Sequence, residues 1–571
     1  MIQLYSNYDN IANENCSEVK RSLQLNDNNK SETMISNKSK SSKGKSKSAR
    51  SKQSNKSKDN KANSYFSEFC VVTQSQFMYL SELVNGNSYS EQQFFYQLYH
   101  SQMLPQNLTE DKSIPIPSET LHKKFSNYYP NVKALTDKEI VKLVKLYDKE
   151  AGKCSEYKIP LEILKQSVKD ELIDDETYVN LFTGKKINKA RKSVLTYGDN
   201  KLKLPDVVYR AIIGIRRTYC NYKALKKYIQ KLKDANAKGF QTEKQYRKYI
   251  NDLACFNAIR RNIIYLEGTD LGYYIPAYQS QKSGRITELE GKLQSCSRAM
   301  KKAAFTFPDC YNYDLKSSQV YILKWWFEKS GISTEWIDMY LASDKKKWAA
   351  SIGIPVKCFM KCMYAKFMGA ELQSAKRYWD KKAGKYKPEF FCLSIVEYLY
   401  EQAEKINKGR GIVDDDKANE DLMFELLEKF NNFIKPLQKQ LNQFYKWLIY
   451  DYCKVNSKKG IVRNLTEMPF DLKEYKDSNG EYENVSELNR KLTAFFLQGT
   501  ESAFIHYLTR EDIQEKYNYE VINNAHDGLV TIGVIPEVAA REARKAIGLP
   551  YAFLEEKDIC SLKEENWRDT L

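Results

Sequence analysis

Hydrophobic and polar positions follow two different periods along this chain of 571 residues. Between residues 205 and 265, Tyr and Ile recur among Lys and Arg at helical spacing, as in Tyr222–Leu232, and predict long basic helices. Strand and turn signals follow Gly284 and end at residues 310–316, and helical patterns then dominate from Gln319 to about Leu448. Near the end, residues 521–525 and 529–535 predict two strands around a tight turn. The pattern predicts an α+β chain that is rich in helices.

The first two hundred residues give a weaker pattern. From Tyr65 to about Asn200, prolines interrupt short helical patterns, and this stretch contains no catalytic pattern. Residues 63–200 are therefore predicted as an N-terminal helical region of unknown role. A polar break at residues 408–416 predicts a surface insertion between later helices.

The net charge of +18 is unevenly distributed. Between Lys38 and Lys61, nine lysines and Arg50 face the single Asp59, which accounts for half of the excess. Ser and Asn separate these charges, so the stretch cannot bury enough apolar surface to offset the entropy of ordering it. Residues 1–62 are predicted as a disordered basic tail that serves either as a solubilising or targeting extension or as an attachment to phosphates.

A large basic excess favours an acidic partner, either nucleic acid or an anionic membrane surface. No run approaches the ~18 apolar residues that cross a bilayer, and the N-terminus lacks a secretory pattern. We expect no membrane partner, and a location in the cytoplasm or nucleoid, or in an organelle of a eukaryotic host. Twelve Cys without a Cys-x-x-Cys pair and only four His indicate neither a disulfide framework nor a zinc ribbon.

Two aspartates stand at the ends of predicted strands. Asp314 closes an apolar approach before a helix start, and Asp527 lies at the tip of the predicted C-terminal hairpin. A carboxylate at such a tip can reach a metal without being buried unpaired. Because Mg²⁺ prefers oxygen ligands and keeps several waters, two Asp plus substrate phosphates can hold it.

A third pattern places cations and a ring on one helix face. Lys357, Lys361, Tyr364 and Met368 follow i, i+4, i+7 and i+11. Such a face suits an incoming nucleotide, with the ammonium groups on the triphosphate and the ring on the base. An ordinary amphipathic helix is the alternative.

Five patterns in one order resemble the family A DNA polymerases, such as bacterial DNA polymerase I. Gly284-Arg285 with Leu293-Gln294 is similar to the Thr-Gly-Arg…Leu-Gln stretch before the first catalytic strand. Residues 313–321 are similar to Asp-Tyr-Ser-Gln-x-Glu, with two extra residues and Tyr321 in place of Glu. Residues 357–369 resemble the fingers helix. Residues 490–500 resemble Arg-x-x-x-Asn-x-x-x-Gln-Gly-Thr with Ala494 for Asn, and His526-Asp527-Gly528 resembles His-Asp-Glu.

The resemblance implies a role for each matching residue. Asp314, Asp527 and Lys361 would be catalytic, with the two aspartates as metal ligands for two Mg²⁺ ions or for Mn²⁺. Tyr321 would exclude the ribose 2′-hydroxyl by its volume. The nucleotide would contact Lys357, Lys361, Tyr364, Gln319 and Tyr321, and the nucleic acid would contact Arg285, Gln294, Arg298, Arg490, Gln498 and His526.

A right-hand polymerase fold is the architecture that the resemblance implies, with an antiparallel palm sheet and helical thumb and fingers. The thumb-like helices would occupy residues 201–282, the palm residues 283–325 and 485–571, and the fingers, with an insertion, residues 326–484. The resulting function is a DNA-directed DNA polymerase that extends primer-template DNA with dNTPs. We expect it to be monomeric and to lack a proofreading exonuclease, because the region before residue 200 is short and poor in paired acidic motifs.

Two other functions remain open from the sequence. A longer first motif is also seen in phage-type single-subunit RNA polymerases, and His-Asp followed by a small residue resembles their second motif, which has Ser where this chain has Gly528. Leu293-Gln294 and Tyr321 instead favour DNA synthesis. From another class, the chain could be a catalytically inactive nucleic-acid-binding replication accessory. The two aspartates and two lysines argue against a pure binder, which has no use for converging carboxylates beside phosphates.

Overall fold

In the computed structural model, the described residues extend from 70 to 557, with gaps at 103–112, 117–120, 122–123, 126–129, 146–153, 174–176, 188–190, 199–200, 241, 371–375, 381–384, 390–392 and 414. The basic tail predicted at residues 1–62 lies outside the described residues, as do the last residues of the predicted palm, 558–571. Every described residue belongs to one compact unit, Lys56–Leu571.

Helices and short strands occur along the whole described chain. The helices are α1 (Gln74–Leu83), α2 (Tyr89–Gln102), α3 (Val132–Asp137), α4 (Leu161–Gln166), α5 (Asp170–Ile173), α6 (Asp206–Ile213), α7 (Tyr222–Ala237), α8 (Glu243–Arg260), α9 (Lys292–Ser295), α10 (Arg298–Phe305), α11 (Ser318–Lys329), α12 (Glu335–Ala342), α13 (Lys345–Ile352), α14 (Val356–Phe367), α15 (Leu393–Gly409), α16 (Asp416–Lys446), α17 (Cys453–Asn456), α18 (Val485–Thr509), α19 (Glu511–Tyr517) and α20 (Glu537–Ile547). The strands are β1 (Val71–Thr73), β2 (Ile114–Ile116), β3 (Lys142–Lys145), β4 (Ser155–Lys158), β5 (Tyr178–Asn180), β6 (Thr196–Tyr197), β7 (Leu202–Lys203), β8 (Thr218–Asn221), β9 (Ile264–Tyr265), β10 (Leu271–Tyr274), β11 (Tyr278–Ser280), β12 (Ile286–Glu288), β13 (Cys310–Leu315), β14 (Lys376–Asp380), β15 (Lys385–Glu389), β16 (Ile461–Arg463), β17 (Pro469–Asp471), β18 (Glu520–Asn524), β19 (Gly528–Ile532) and β20 (Leu554–Glu556). This mixture of helices and small antiparallel sheets confirms the predicted α+β class.

A four-stranded antiparallel sheet, ordered β18-β19-β13-β20, separates two hydrophobic cores. Neighbouring residues of a strand point to opposite faces of the sheet. Accordingly, Val521 and Leu529 lie in one core, whereas Ile522 and Val530 lie in the other. Both faces of β18 and β19 are covered, which explains the nearly continuous apolar run in the sequence of β19.

The larger core joins this sheet to the helices of the second half of the chain. The 31-residue helix α16 buries Met423, Phe430, Ile434 and Leu441 along one face. α15 packs against both α14 and α16, while α18 packs against α6, α11 and α20. The predicted surface insertion at residues 408–416 covers the end of α15, the start of α16 and the largely exposed connection between them. Residue 414 lies outside the described residues.

The second core is shared by the N-terminal region and the basic helices α7 and α8. α7 buries Tyr222, Leu225, Ile229 and Leu232, as the predicted helical period requires. Residues 70–197 also contain short strand pairs that the sequence did not predict, including β1 with β5 and β2-β4-β3. Strands of three or four residues are too short to show the period of two from which strands are predicted.

Candidate active site

Asp314 and Asp527 lie beside each other at one end of the four-stranded sheet. Asp314, in β13, pairs directly with Gly528 at the start of β19, so Asp527 is the residue just before the partner of Asp314. The Leu315 amide donates a hydrogen bond of 2.8 Å to the Asp527 carbonyl oxygen. Residues directly opposite in an antiparallel pair have Cα atoms about 4.5–5.5 Å apart. The fold therefore brings together two carboxylates that are distant in sequence.

The turn that presents Asp527 is held by its own hydrogen bonds. The Ala525 amide donates to the Gly528 carbonyl at 2.9 Å, and the Asp527 amide donates to the Ala525 carbonyl at 3.1 Å. The His526 amide donates to Asn524 Oδ1 at 2.9 Å, and His526 adopts a left-handed φ of 73°. The predicted hairpin with Asp527 at its tip is confirmed by the antiparallel pairing of β18 with β19.

Gly528 is required because the two strands approach too closely for a side chain. A Cβ atom at this position would lie 2.3 Å from the Tyr313 carbonyl oxygen, a backbone atom in a paired strand. This close approach accounts for a glycine at position 528.

Gly528→Ala should therefore lower the free energy of unfolding by about 1–3 kcal/mol, the usual cost of overpacking. Urea denaturation measures the change. Gly409→Ala is the matched control, because Gly409 ends helix α15 with no atom within 4 Å of a Cβ and should lose no stability. Equal stability of the Gly528→Ala variant and the native chain would contradict the close approach.

The charge of Asp527 disfavours ionisation of Asp314. Burial and then the negative charge of Asp527 raise the pKa of Asp314 to about 6, against a smaller opposing effect of Lys557. A carboxyl group in this setting keeps its proton to a higher pH than an isolated Asp, unless a cation offsets the neighbouring charge. The site therefore gains from a bound cation.

This raised pKa predicts how the cation-free protein responds to pH. A carboxyl group with a folded pKa of about 6, above its value in the unfolded chain, binds protons preferentially in the folded state. Its contribution to stability is therefore lost as pH rises from about 4 through 6 and regained as pH falls. In the presence of a metal chelator, lowering the pH from 7 to 5 should raise the melting temperature of the native chain relative to that of the Asp314→Asn variant. Parallel melting curves of the two proteins across this range would contradict the prediction.

One cavity of about 930 Å³ contains both aspartates and the predicted nucleotide-facing helix. Lys361 and Tyr364, on α14, line this cavity together with Gln319, at the start of α11. The Lys361 ammonium lies 4.7 Å from the centre of the Tyr398 ring, which also lines the cavity. The pKa of Tyr364 is raised, first by burial and then by the charges of Asp527 and Asp314. Cation, ring and carboxylates thus meet in one space.

Two predicted nucleotide contacts are absent from the described lining of this cavity. Lys357 is exposed one turn before Lys361 on α14. Tyr321 packs against Tyr551 and Phe553, with ring centres 6.1 and 5.5 Å apart. The predicted roles of Lys357 and Tyr321 remain predictions.

Glu501 is a charged site residue that the sequence reasoning missed. Its side chain is only 1% exposed and forms an ion pair with Arg285. Ser318 Oγ donates to the other carboxylate oxygen at 2.5 Å. Burial raises the pKa of Glu501, which Arg285 opposes and the Asp527 charge reinforces, so this cluster lies close to the two aspartates. Its only signal in the sequence is an acidic residue directly after Gln-Gly-Thr.

The Gly284-Arg285 turn is fixed from three sides. Gly284 has a φ of +90°, and a Cβ there would lie 2.1 Å from Thr466 Oγ1. The His506 ring bonds the Gly284 carbonyl at 2.8 Å, and Asn464 Nδ2 donates to the Ser283 carbonyl at 2.9 Å. These contacts position Arg285 and account for the glycine before it.

The remaining predicted nucleic-acid contacts occupy different settings. The Gln294 amide donates to the Asn524 and Ile286 carbonyls at 2.7 and 3.1 Å, and so braces the strand before the Asp527 turn. Burial, and then the charges of Arg285 and Lys301, lower the pKa of His526 to about 4, so its ring is neutral at pH 7. Arg298 begins α10 and is exposed, while α18 carries exposed Arg490 and half-buried Gln498. Contact of these residues with nucleic acid stays a prediction.

The donor set suits a hard divalent cation held partly by its substrate. Asp314 and Asp527 offer carboxylate oxygens, the ligands that Mg²⁺ prefers. Within the described ranges, no group of three or more His, Cys, Asp or Glu residues forms a site that the protein alone could complete. Two carboxylates leave the other coordination positions of such an ion to water or to further ligands.

Comparisons with known proteins find distant similarity among solved structures. No family model and no curated protein matches the chain. A solved structure, the POL domain of Pol1 from M. smegmatis in complex with DNA primer-template and dNTP, matches with 12% identity and a TM-score of 0.32. The match covers 77% of this chain and 64% of that one, so the chain spans less than two thirds of that POL domain. None of the helices in the described part is long and apolar enough to cross a membrane.

Proposed function

We propose that the protein is a template-directed DNA polymerase that adds dNTPs to a primer 3′ end. The observation that carries this proposal is the meeting of Asp314 and Asp527 on paired strands, in a cavity that Lys361 and Tyr364 also line. Under this proposal, the β18-β19-β13-β20 sheet is the palm of a right hand, and α14 belongs to the fingers. The basic helices α7 and α8 are the thumb.

Each of the proposed site residues has a distinct task under this proposal. Phosphoryl transfer asks a protein mainly to position groups and to stabilise charge. Lys361 would neutralise the triphosphate and supply a proton to the departing pyrophosphate. Tyr364 would pack against the incoming base. The neutral His526 would steady the primer terminus, and Arg285 would hold a backbone phosphate by paired charge-assisted bonds.

Asp314 and Asp527 would hold two Mg²⁺ ions, with Mn²⁺ as a substitute. When bound, such ions lower the pKa of the primer hydroxyl and neutralise charge on the phosphates. The two aspartates themselves would set where the cations lie relative to Lys361. The raised pKa of Asp314 supports this assignment, because a cation relieves the repulsion that causes part of the shift.

Primer extension tests the proposed activity. The native chain should extend a labelled primer on a DNA template with Mg²⁺ and dNTPs, and much less with NTPs. Preference for NTPs would assign a single-subunit RNA polymerase instead. Binding of the primer-template without extension by either nucleotide set would assign an inactive replication accessory.

The proposal includes the absence of proofreading. A 3′-labelled primer incubated with Mg²⁺ or Mn²⁺ and no nucleotide should keep its label. Release of the label as mononucleotide would contradict that part of the proposal, while extension with dNTPs would leave the polymerase assignment intact.

Tyr321 is proposed to exclude ribonucleotides by its volume. Tyr321→Ala should raise the ratio of ribonucleotide to deoxyribonucleotide incorporation, measured as kcat/KM for matched NTP and dNTP. The ring packs on Tyr551, so Tyr551→Ala serves as a control for loss of packing alone. An unchanged ratio in Tyr321→Ala would reject the proposed exclusion of ribonucleotides by Tyr321.

A further inference from the structure

A second cavity, of about 670 Å³, lies apart from the two aspartates. It is bounded by α7 and α8 and by Tyr265 of β9. From the N-terminal region, its lining includes Ile173, Thr177, Tyr178, Lys186 and Ile187. Its volume falls within the ~300–1,000 Å³ of pockets that hold one small organic ligand. None of the predicted site residues contributes to its lining, so it is a separate feature that we call the Tyr265 cavity.

The lining of the Tyr265 cavity is strongly cationic. Among the described residues that line it, none is acidic and five carry positive charge: Lys186, Lys226, Lys233, Arg260 and Arg261. A concave site lined by one sign of charge concentrates ligands of the opposite sign. The cavity therefore favours an anion.

Two residues that line the cavity carry buried polar atoms without partners in the described structure. The Arg261 side chain is only 7% exposed, and its Nη2 atom donates to Glu290 at 2.7 Å. Its Nε and Nη1 atoms are buried and have no hydrogen-bond partner within the described structure. Asn257, one turn earlier and 2% exposed, likewise has an unpartnered Oδ1 atom. Buried guanidinium donors of this kind are satisfied by phosphate oxygens, and the amide oxygen accepts from a base or sugar group.

Aromatic rings stand beside these cations. The Tyr222 ring stacks on Phe256, with centres 5.9 Å apart, and meets Tyr265 edge-on at 5.2 Å. Lys226 lies 5.3 Å from the centre of the Tyr222 ring. Tyr265 remains 62% exposed, so its ring is anchored at one edge and otherwise open to solvent. An exposed ring beside cations is the arrangement on which proteins stack unpaired bases.

We propose that the Tyr265 cavity binds one nucleotide unit of a single-stranded nucleic acid. Arg261 and Lys226 would contact the phosphate, Asn257 the sugar or base edge, and Tyr265 the face of the base. A duplex does not fit, because its bases are paired and stacked and cannot present a face to Tyr265. The site requires no catalysis and does not depend on the proposed polymerase activity.

The test measures binding of a labelled oligothymidylate of ten nucleotides to the full chain by fluorescence anisotropy. Tyr265→Ala should weaken binding about fivefold or more, the loss expected for one stacked base. Lys226→Gln should weaken binding and lower the salt dependence by about one released counterion. The matched controls are Lys227→Gln, the next exposed lysine on α7, and Tyr450→Ala, an exposed tyrosine elsewhere. If the cavity variants bind as tightly as these controls, the proposal is overturned.

Two further experiments distinguish binding of a single strand from binding of other ligands. Duplex DNA, dTMP and dTTP should each displace the oligonucleotide poorly. Displacement by dTMP as effective as by unlabelled oligonucleotide would assign a free nucleotide and overturn the strand assignment. Photocrosslinking with 5-bromodeoxyuridine should label the peptide that contains Tyr265. Label confined to peptides that line the cavity of Asp314 and Asp527 would overturn the proposal. Thermal melting of each variant shows whether it folds.

Discussion

Asp527→Asn should reduce primer extension by more than about 100-fold while leaving the fold intact. Loss of an outer-shell partner of a metal ligand already costs about 10–100-fold, so loss of the carboxylate itself should cost more. The amide has nearly the shape of the carboxylate and removes one of two neighbouring negative charges. We therefore expect the chelator-treated variant to be at least as stable as the native chain.

Single-turnover extension rates and melting temperatures with and without Mg²⁺ measure both effects. Mg²⁺ should raise the melting temperature of the native chain by mass action, and much less that of Asp527→Asn. Asp451→Asn is the control, because Asp451 is exposed and outside the cavity. Extension by Asp527→Asn at more than a tenth of the native rate would refute the proposed role of this carboxylate.

Glu501→Gln should lower the free energy of unfolding by about 3–5 kcal/mol, because removing one partner of a buried ion pair leaves the other charge uncompensated. Arg285 would keep a largely buried guanidinium whose Nε atom already lacks a partner in the described structure. Glu487→Gln on the same helix is the control. Glu487 pairs with Lys491 at 2.8 Å near the surface, where such pairs contribute about 0.5 kcal/mol or less.

The double variant Arg285→Met/Glu501→Gln separates the structural role of the pair from its functional role. Removing both charges should restore most of the lost stability, since paired buried charges are often replaceable by apolar groups. Primer affinity of the double variant should remain below that of the native chain, because Arg285 is the group proposed to hold a phosphate. Urea denaturation and primer-binding titrations measure the two quantities. Native primer affinity in the stable double variant would remove Arg285 from the proposed nucleic-acid contacts.

Local features of the proposed active site were predictable from sequence. The strand before Asp314, the helix after it and the hairpin around Asp527 each follow from a short run of residues, and the structure confirms all three. The face shared by Lys361 and Tyr364 follows from helical spacing alone. These features are predictable because each depends only on residues that are close together in the sequence.

Features that depend on contacts between distant segments were not predictable. Glu501 matters because α18 packs beside Arg285 and Ser318, and nothing adjacent in sequence indicates this. The bracing role of Gln294 depends on the Asn524 carbonyl, which is 230 residues away. The core that the N-terminal region shares with α7 and α8 likewise arises from tertiary packing.

The hydrogen bond from the Leu315 amide to the Asp527 carbonyl makes the separation of the two aspartate Cα atoms a property of main-chain pairing. Side-chain repacking elsewhere in the molecule cannot move the main chain at one aspartate relative to the other without breaking that hydrogen bond. The proposed active site should consequently be lost in a single cooperative step with the sheet during denaturation, rather than gradually as surface loops unfold.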